Sequence, residues 1–430
     1  MEEFLRLVDQ GSVQVDELVT HRYALSDAPA AYDAIMTPGT QSLAVLLRYP
    51  TADRISRQSA TPDVSGAPVY IPTRRVDVPD AARAHDGKFR VALIGAGNIS
   101  RWAHMPALKK LRGASLYAVQ SSGGARGKSY ALRFGAAYAT SSYDDVLADP
   151  QVDAVLIASR NQHHAREALT ALRAGKHVFV EKPMALTMDE CRDLVVAERE
   201  SGRTLMVGFN RRFAPFYVEL KRRLERRSGP AVVTARVNSP GIAGGYWMAN
   251  PAIGGAILGE ACHFTDVFAW LLGSEPVEVS AYALPLDVPE PVGINNVVAA
   301  FRFADGSIAN LTYCTVGSKT SGGERVEAFA PGIGVMTEDF KRVVVSGGIR
   351  TAKRRLFANK GYDEQMAEFV AAATASRPSA VPAMAGARST LMCLALMESA
   401  REDGRATPID LAAAVADSPS RAEPALAVAS

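Results

Sequence analysis

At 430 residues, 48% of them hydrophobic, the chain can bury large cores and is too long for one ordinary domain. Lysine and arginine number 48 against 45 acidic residues, too even a balance to draw nucleic acid or an anionic membrane as a partner. No apolar run approaches the length of a membrane helix, the acidic start Met1-Glu2-Glu3 is no signal peptide, and Cys191, Cys262, Cys314 and Cys393 form no paired spacing, so we expect a cytoplasmic protein with reduced thiols.

The first fifty residues stand apart. Phe4-Leu5-Arg6-Leu7-Val8, Leu18-Val19-Thr20-His21-Arg22-Tyr23, Asp27-Ala28, Ala31-Tyr32 and the run from Leu43 to Pro50 resemble the C-terminal end of a medium-chain, zinc-type alcohol dehydrogenase. The resemblance implies a returning helix and strand, in a chain that reads as the C-terminal portion of a two-enzyme fusion. His21 then carries no metal argument; none of the seven histidines has metal-site spacing, and no metal is expected. Residues 51–87 read as a linker, rich in Ser, Thr, Pro, Asp and Arg from Thr51 to Pro79, with weak order expected there.

Residues 88–207 alternate apolar strands with helical stretches. Phe89 to Ile94 is a short apolar run with little alternation, a buried strand, and a helical pattern follows to about Leu111. Between them lies Gly95-Ala96-Gly97-Asn98-Ile99-Ser100. Gly95 permits the tight turn and Gly97 lets backbone approach a pyrophosphate, whose charge would face free N–H groups at the helix N-terminus. Ser100 stands where a third glycine is usual and is small enough for helix to pack on strand. Later helices are predicted at Ala125–Phe134, His163–Ala174 and Met188–Glu200. The pattern is α/β, a doubly wound parallel (Rossmann) sheet.

From Gly208 the pattern changes to an α+β domain spanning residues 208–412. Ala231–Asn238, Val277–Ala283, Asn296–Phe303 and Ser307–Val316 read as extended, the last two joined by Ala304-Asp305-Gly306 as a hairpin. Helices at Glu260–Leu272, Asp363–Ala373 and Ala387–Arg401 would cover one face of a large, mostly antiparallel sheet and leave the other open. The basic run Lys221 to Arg227 reads as a solvated helix face, and residues 413–430 as a disordered tail.

Residues 88–412 resemble the Gfo/Idh/MocA family of NAD(P)-dependent oxidoreductases. The residues that carry the resemblance are Gly95-Ala96-Gly97, Asn161 with His164, Ala174-Gly175-Lys176-His177-Val178 leading into Glu181-Lys182-Pro183, Gly208-Phe209-Asn210-Arg211-Arg212-Phe213, and Gly254-Gly255 followed by His263 and Asp266. The resemblance implies oligomers, dimeric or tetrameric, joined through the open sheet face.

Hydride transfer to or from a carbon bearing oxygen needs a group for the oxygen's proton and a positive group for developing alkoxide charge. Lys182, after the strand His177–Val180, is at the carboxyl edge where such a sheet presents its cofactor crevice. An unperturbed histidine titrates near neutrality, so His263 is the candidate acid or base. The family usually has an aspartate four residues before this histidine; here that position is Gly259, and a helical Glu260 would point about 100° away. Asp266 is read as an orienter of the site or as a packing residue. The cofactor-side set is Gly95, Gly97, Asn98, Ile99, Ser121, Arg126, Lys128, Ser159, Asn161, His164, Glu181 and Lys182. Arg212, Tyr246 and Trp247, with Lys182 and His263, are substrate-side candidates, since guanidinium suits carboxylate or phosphate and aromatic faces suit sugar rings.

The second strand, Leu116 to Gln120, ends in Ser121-Ser122-Gly123-Gly124 followed by Arg126 and Lys128, with no acidic residue to repel a 2′-phosphate. NADP is therefore the expected cofactor, with NAD as the alternative. The leading reading is an oxidoreductase acting on a hydroxyl or carbonyl carbon of a sugar, nucleotide sugar or cyclitol. Two rivals stay open: a catalytically silent sensor of dinucleotide and sugar, suggested by Gly259, and a structural half of a split dehydrogenase complex, suggested by residues 1–50.

Overall fold

A computed structural model of the protein describes residues 10, 18–36, 43–48, 74–78, 87–242, 246–284, 295–347 and 350–416. These fall into two units, one within Met1–Pro72 and the other within Thr73–Ser430.

In the first unit, β1 (Val19–Ala24) and β2 (Ala44–Arg48) pair in parallel. Parallel neighbours need a crossover, and the helix Ala28–Met36 between them supplies it. Thr20 stitches the pair, its hydroxyl donating to the Ala44 carbonyl at 3.1 Å and accepting from the Leu43 N–H at 3.1 Å. A returning helix and strand were expected here. The expected pattern from Phe4 to Val8 lies outside the described residues.

The second unit has two sheets among its described residues. The first contains β3 (Arg75–Asp77), β4 (Phe89–Ile94), β5 (Ala114–Gln120), β6 (Tyr138–Thr140), β7 (Ala154–Ile157), β8 (His177–Val180) and β9 (Leu205–Val207), in the order β3-β6-β5-β4-β7-β8-β9. Strands β4 to β9 are mutually parallel. Every residue of β7 and β8 is buried, which is why these strands read as unbroken apolar runs. The chain goes from β4 to β5 on one side and resumes with β7 on the other, so the order reverses at β4 and opens a crevice at the carboxyl ends of β4 and β7.

Two sequence expectations need correction. Arg75–Asp77, within the expected linker, is an antiparallel strand on β6, with the Arg75 guanidinium 3.7 Å from the centre of the Tyr138 ring. Three residues with one half-buried side chain are too short to announce a strand; pairing makes it. In the expected tail, Leu411–Val415 forms a helical turn capped by Asp410, whose carboxylate accepts from the Ala413 N–H at 2.9 Å. Residues 417–430 lie outside those described.

The second sheet contains β10 (Val232–Asn238), β11 (Pro276–Ala283), β12 (Val297–Phe303), β13 (Ile308–Cys314), β14 (Glu324–Ala330), β15 (Ile333–Glu338), β16 (Arg342–Ser346), β17 (Thr351–Arg354) and β18 (Thr407–Pro408). Its order is β17-β16-β15-β14-β10-β13-β12-β11-β18, antiparallel except where β10 lies parallel to β13. The helices Cys262–Leu272 and Ala383–Arg401 pack on one face and are largely buried. The other face carries exposed apolar side chains in register: Phe329, Val232 and Ile308 form one cross-strand row, and Tyr282 lies opposite Val298. Strands β14 to β18 were not anticipated. Strand β17 is exposed along its whole length and offers no apolar period to read.

Candidate active site

The glycine turn is built as its sequence requires. Gly95 adopts φ +91°, and a side chain there would meet the Ala158 carbonyl oxygen at 2.7 Å. The turn is tied from behind: Ser100 Oγ donates to the Gly95 carbonyl at 3.1 Å and Tyr130 OH to the Gly97 carbonyl at 2.8 Å. Ser100 thus holds by a hydrogen bond what a third glycine would allow by close packing. The helix then opens with a wide π turn, Ser100–His104, that buries His104 beneath the sheet edge.

His104 leads to the Glu-Lys-Pro segment. Its Nε2 is 2.7 Å from Glu181 Oε1, while Glu181 Oε2 accepts from the Lys182 backbone N–H at 3.1 Å. Burial pushes the Glu181 carboxyl up, but the His104 hydrogen bond and the nearby Lys182 charge outweigh it and hold the group below its ordinary value. Glu181 was expected on the cofactor side. Its carboxylate is engaged inward instead, fixing the backbone that carries Lys182.

His164 also departs from expectation. Its Nδ1 is 2.8 Å from the Pro183 carbonyl and its Nε2 is 3.4 Å from the Ser159 carbonyl. Burial lowers its pKa, so the ring is neutral, and its single N–H belongs with the shorter contact. The ring clamps the loop after Lys182 through the Pro183 carbonyl. The Ser159 hydroxyl is likewise taken, donating to Glu167 Oε2 at 2.6 Å. Asn161 Nδ2 is buried and has no hydrogen-bond partner among the described residues. A buried amide left this way has a donor to spare for a bound molecule or a water.

At the carboxyl end of β8, Lys182 Nζ donates to the Gly259 carbonyl at 2.6 Å and is 3.4 Å from Glu260 Oε1. Its side chain is 12% exposed. Gly259 and Glu260 lie on a second π turn, Ile257–Ala261, which precedes the helix Cys262–Leu272. The π turn corrects the geometry expected of Glu260, since regular α-helix spacing does not apply there. Its carboxylate reaches Lys182 and comes within 4.0 Å of His263 Nε2. His263 is buried against the edge of the Phe209 ring, and its Nδ1 has no partner among the described residues. Burial, then the charges of Arg211, Lys182 and Lys360, hold its pKa well below the ordinary value, leaving a neutral imidazole.

Arg212 departs from the sequence reading. Arg212 makes a two-pronged ion pair with Asp266, at 2.9 Å from Nε to Oδ2 and 2.5 Å from NH2 to Oδ1. Arg212 is therefore not free for substrate, and Asp266 does not orient His263. The charge of Arg211 acts on Lys182 and His263, but its guanidinium is ion-paired as well. It lies over Phe264 at 4.7 Å and pairs with Glu324 at 2.6 Å, and Glu324 also accepts from Tyr217 OH at 2.5 Å. Both arginines sit on the tight helical turn Asn210–Phe213, where adjacent side chains project about 120° apart. Glu324 begins β14, a strand the sequence did not reveal, so the partner that draws Arg211 inward was invisible.

Tyr246 is exposed and packs against Trp247, whose other neighbour is the Arg160 guanidinium 4.2 Å from the ring centre. Ser121 is buried at the end of β5, while Arg126 and Lys128 are exposed on the first turns of the helix Gly124–Phe134, which has no acidic residue in its first turn. Among the described residues, no cluster of three or more His, Cys, Asp or Glu could hold a metal ion, and no helix is long and apolar enough to cross a membrane.

A bare glycine turn after the first strand of a doubly wound sheet, an unpartnered buried amide, and a lysine and neutral histidine at the same carboxyl edge define a dinucleotide-dependent oxidoreductase. Residues 89–209 match the oxidoreductase family with an NAD-binding Rossmann fold, and residues 230–330 match the GFO/IDH/MocA C-terminal domain. The chain belongs to the Gfo/Idh/MocA family. A 1,5-anhydro-D-fructose reductase of Ensifer adhaerens is 32% identical over 227 residues, covering 52% of this chain and 68% of that protein. An inositol 2-dehydrogenase of Acidothermus cellulolyticus is 36% identical over 205 residues, covering 46% of this chain and 58% of that one. The crystal structure of an aldose-aldose oxidoreductase from Caulobacter crescentus complexed with glycerol superposes with a TM-score of 0.67 at 23% identity, over 75% of this chain and 99% of that chain, a likeness of fold.

Proposed function

We propose that the protein is an NADP-preferring dehydrogenase or reductase acting on a CH–OH or carbonyl carbon of a sugar, nucleotide sugar or cyclitol. The observation that carries this reading is the meeting of the Lys182 ammonium with the neutral His263 at the carboxyl edge of the sheet. The turn Gly95–Ser100 and Asn161 would hold the dinucleotide, which supplies the hydride donor or acceptor. Lys182 Nζ holds the charge that develops on the substrate oxygen. His263 takes the hydroxyl proton at a ring nitrogen in oxidation and returns it in reduction. The carboxylate beside both groups favours an enzyme over a silent sensor. Initial rates with NADP and NAD across a panel of polyols, sugars and nucleotide sugars test the reading, and absence of turnover on every member would count against it.

The cofactor preference rests on Ser121, Arg126 and Lys128. A charge-assisted contact to a 2′-phosphate contributes about 1.5–3 kcal/mol, so NADPH should bind roughly ten- to a hundred-fold tighter than NADH by calorimetry. Equal constants would mean that the two cations point away. The cross-strand row Phe329, Val232 and Ile308 supports a homo-oligomer joined through the open sheet face. The parallel pair β1–β2 with its crossover helix supports residues 1–50 as the closing piece of an alcohol dehydrogenase fold. We place the protein in the cytoplasm.

A further inference from the structure

The pairing of Lys182 with His263 leaves one charged group at the site without a role. Glu260 stands beside both, with Oε1 3.4 Å from Lys182 Nζ and Oε2 4.0 Å from His263 Nε2. A Cβ at position 259 would come within 2.7 Å of Met248 Cγ and 3.2 Å of its Sδ, so a side chain there would have to displace Met248. The π turn Ile257–Ala261 presents the next residue instead. The same turn offers the Gly259 carbonyl to Lys182 at 2.6 Å, so a carbonyl and a carboxylate hold the ammonium from two sides. Two acceptors fix the direction of a flexible lysine head where one would leave it free to swing.

We propose, resting on the function assigned above, that Glu260 is a positioning residue that holds the Lys182 ammonium and the His263 imidazole in one working cluster, from the position that Gly259 and Met248 leave to it. The groups facing Lys182 are Glu260 and Cys262 from the turn and following helix, Glu181 from its own segment and Arg211 from the turn Asn210–Phe213. Burial acts against its charge, the Glu260 and Glu181 carboxylates outweigh burial and Arg211, and the net effect is a raised pKa.

The test uses the full chain and the near-isosteric Glu260→Gln. In an active enzyme kcat should fall at least about tenfold with NADPH affinity unchanged, and Glu260→Asp should recover part of the loss. A second readout needs no turnover: in protein labelled with 15N at lysine Nζ, the Lys182 signal, identified by its loss in Lys182→Arg, should titrate about one pH unit or more lower in Glu260→Gln. Unchanged titration overturns the proposal whatever the activity, and unchanged kcat overturns it in an active enzyme. A wild type silent on every substrate, with the Lys182 titration still moved by Glu260→Gln, would refute the functional reading and leave this one standing.

Discussion

Lys182 and His263 act through charge and proton, so their removal has a kinetic signature. Lys182→Ala and His263→Ala should each lower turnover by roughly two orders of magnitude or more, with dinucleotide affinity nearly unchanged. The double variant should be little worse than the poorer single one, because groups working as a unit are non-additive. A loss confined to KM would reassign both to substrate binding. Arg212 has a different signature. Arg212→Ala strands the buried Asp266 carboxylate and should cost about 3–5 kcal/mol of stability, read as a lowered denaturant midpoint. A substrate-facing arginine would raise KM and leave that midpoint alone. Gly95, Lys182 and His263 were legible in the sequence because each needs only its own segment: a turn, a strand end, a helix start. Arg211 and Glu260 were not, since the first depends on a strand more than a hundred residues away and the second on a turn wound wider than an α-helix.

At the scale of elements, the segment after β8 is held by two buried histidines, His104 through Glu181 and His164 through the Pro183 carbonyl. Burial lowers the His164 pKa despite its carbonyl partners, which makes this clamp sensitive to acid. Above about pH 6.5 the ring is neutral in both folded and unfolded chains, and its contribution is complete. Below that value the unfolded chain binds a proton that the folded chain refuses, so stability falls by up to about 1.4 kcal/mol per pH unit for this group. Urea midpoints at pH 7.5 and 5.5 should therefore differ more in the wild type than in His164→Gln. Equal differences would place a protonated ring in the folded protein. The nucleotide sheet was readable because its strands are apolar throughout. Half of the second sheet was hidden because its outer strands mix charge with apolar residues and β17 buries nothing.

For the whole molecule, the division into two units has an experimental consequence. Both sheets and the Lys182–His263 site lie within Thr73–Ser430. A chain beginning at Thr73 should stay soluble, unfold cooperatively and bind dinucleotide as the full chain does, by thermal unfolding and calorimetry. Insoluble product would mean that residues 1–72 had become part of its core.

Where such a cut is made matters, because of Arg75–Asp77. This strand takes up the free side of β6 and becomes the edge of the nucleotide sheet, three residues long with Arg75 and Asp77 exposed. Uncapped, β6 would offer unsatisfied N–H and C=O groups to the same edge of another molecule. A short, charged edge strand thus stands in place of the buried β6 as a guard against self-association. A chain begun at residue 80 would retain its fold and its chemistry yet gather into β-paired aggregates as its concentration rises, whereas one begun at residue 73 would remain dispersed.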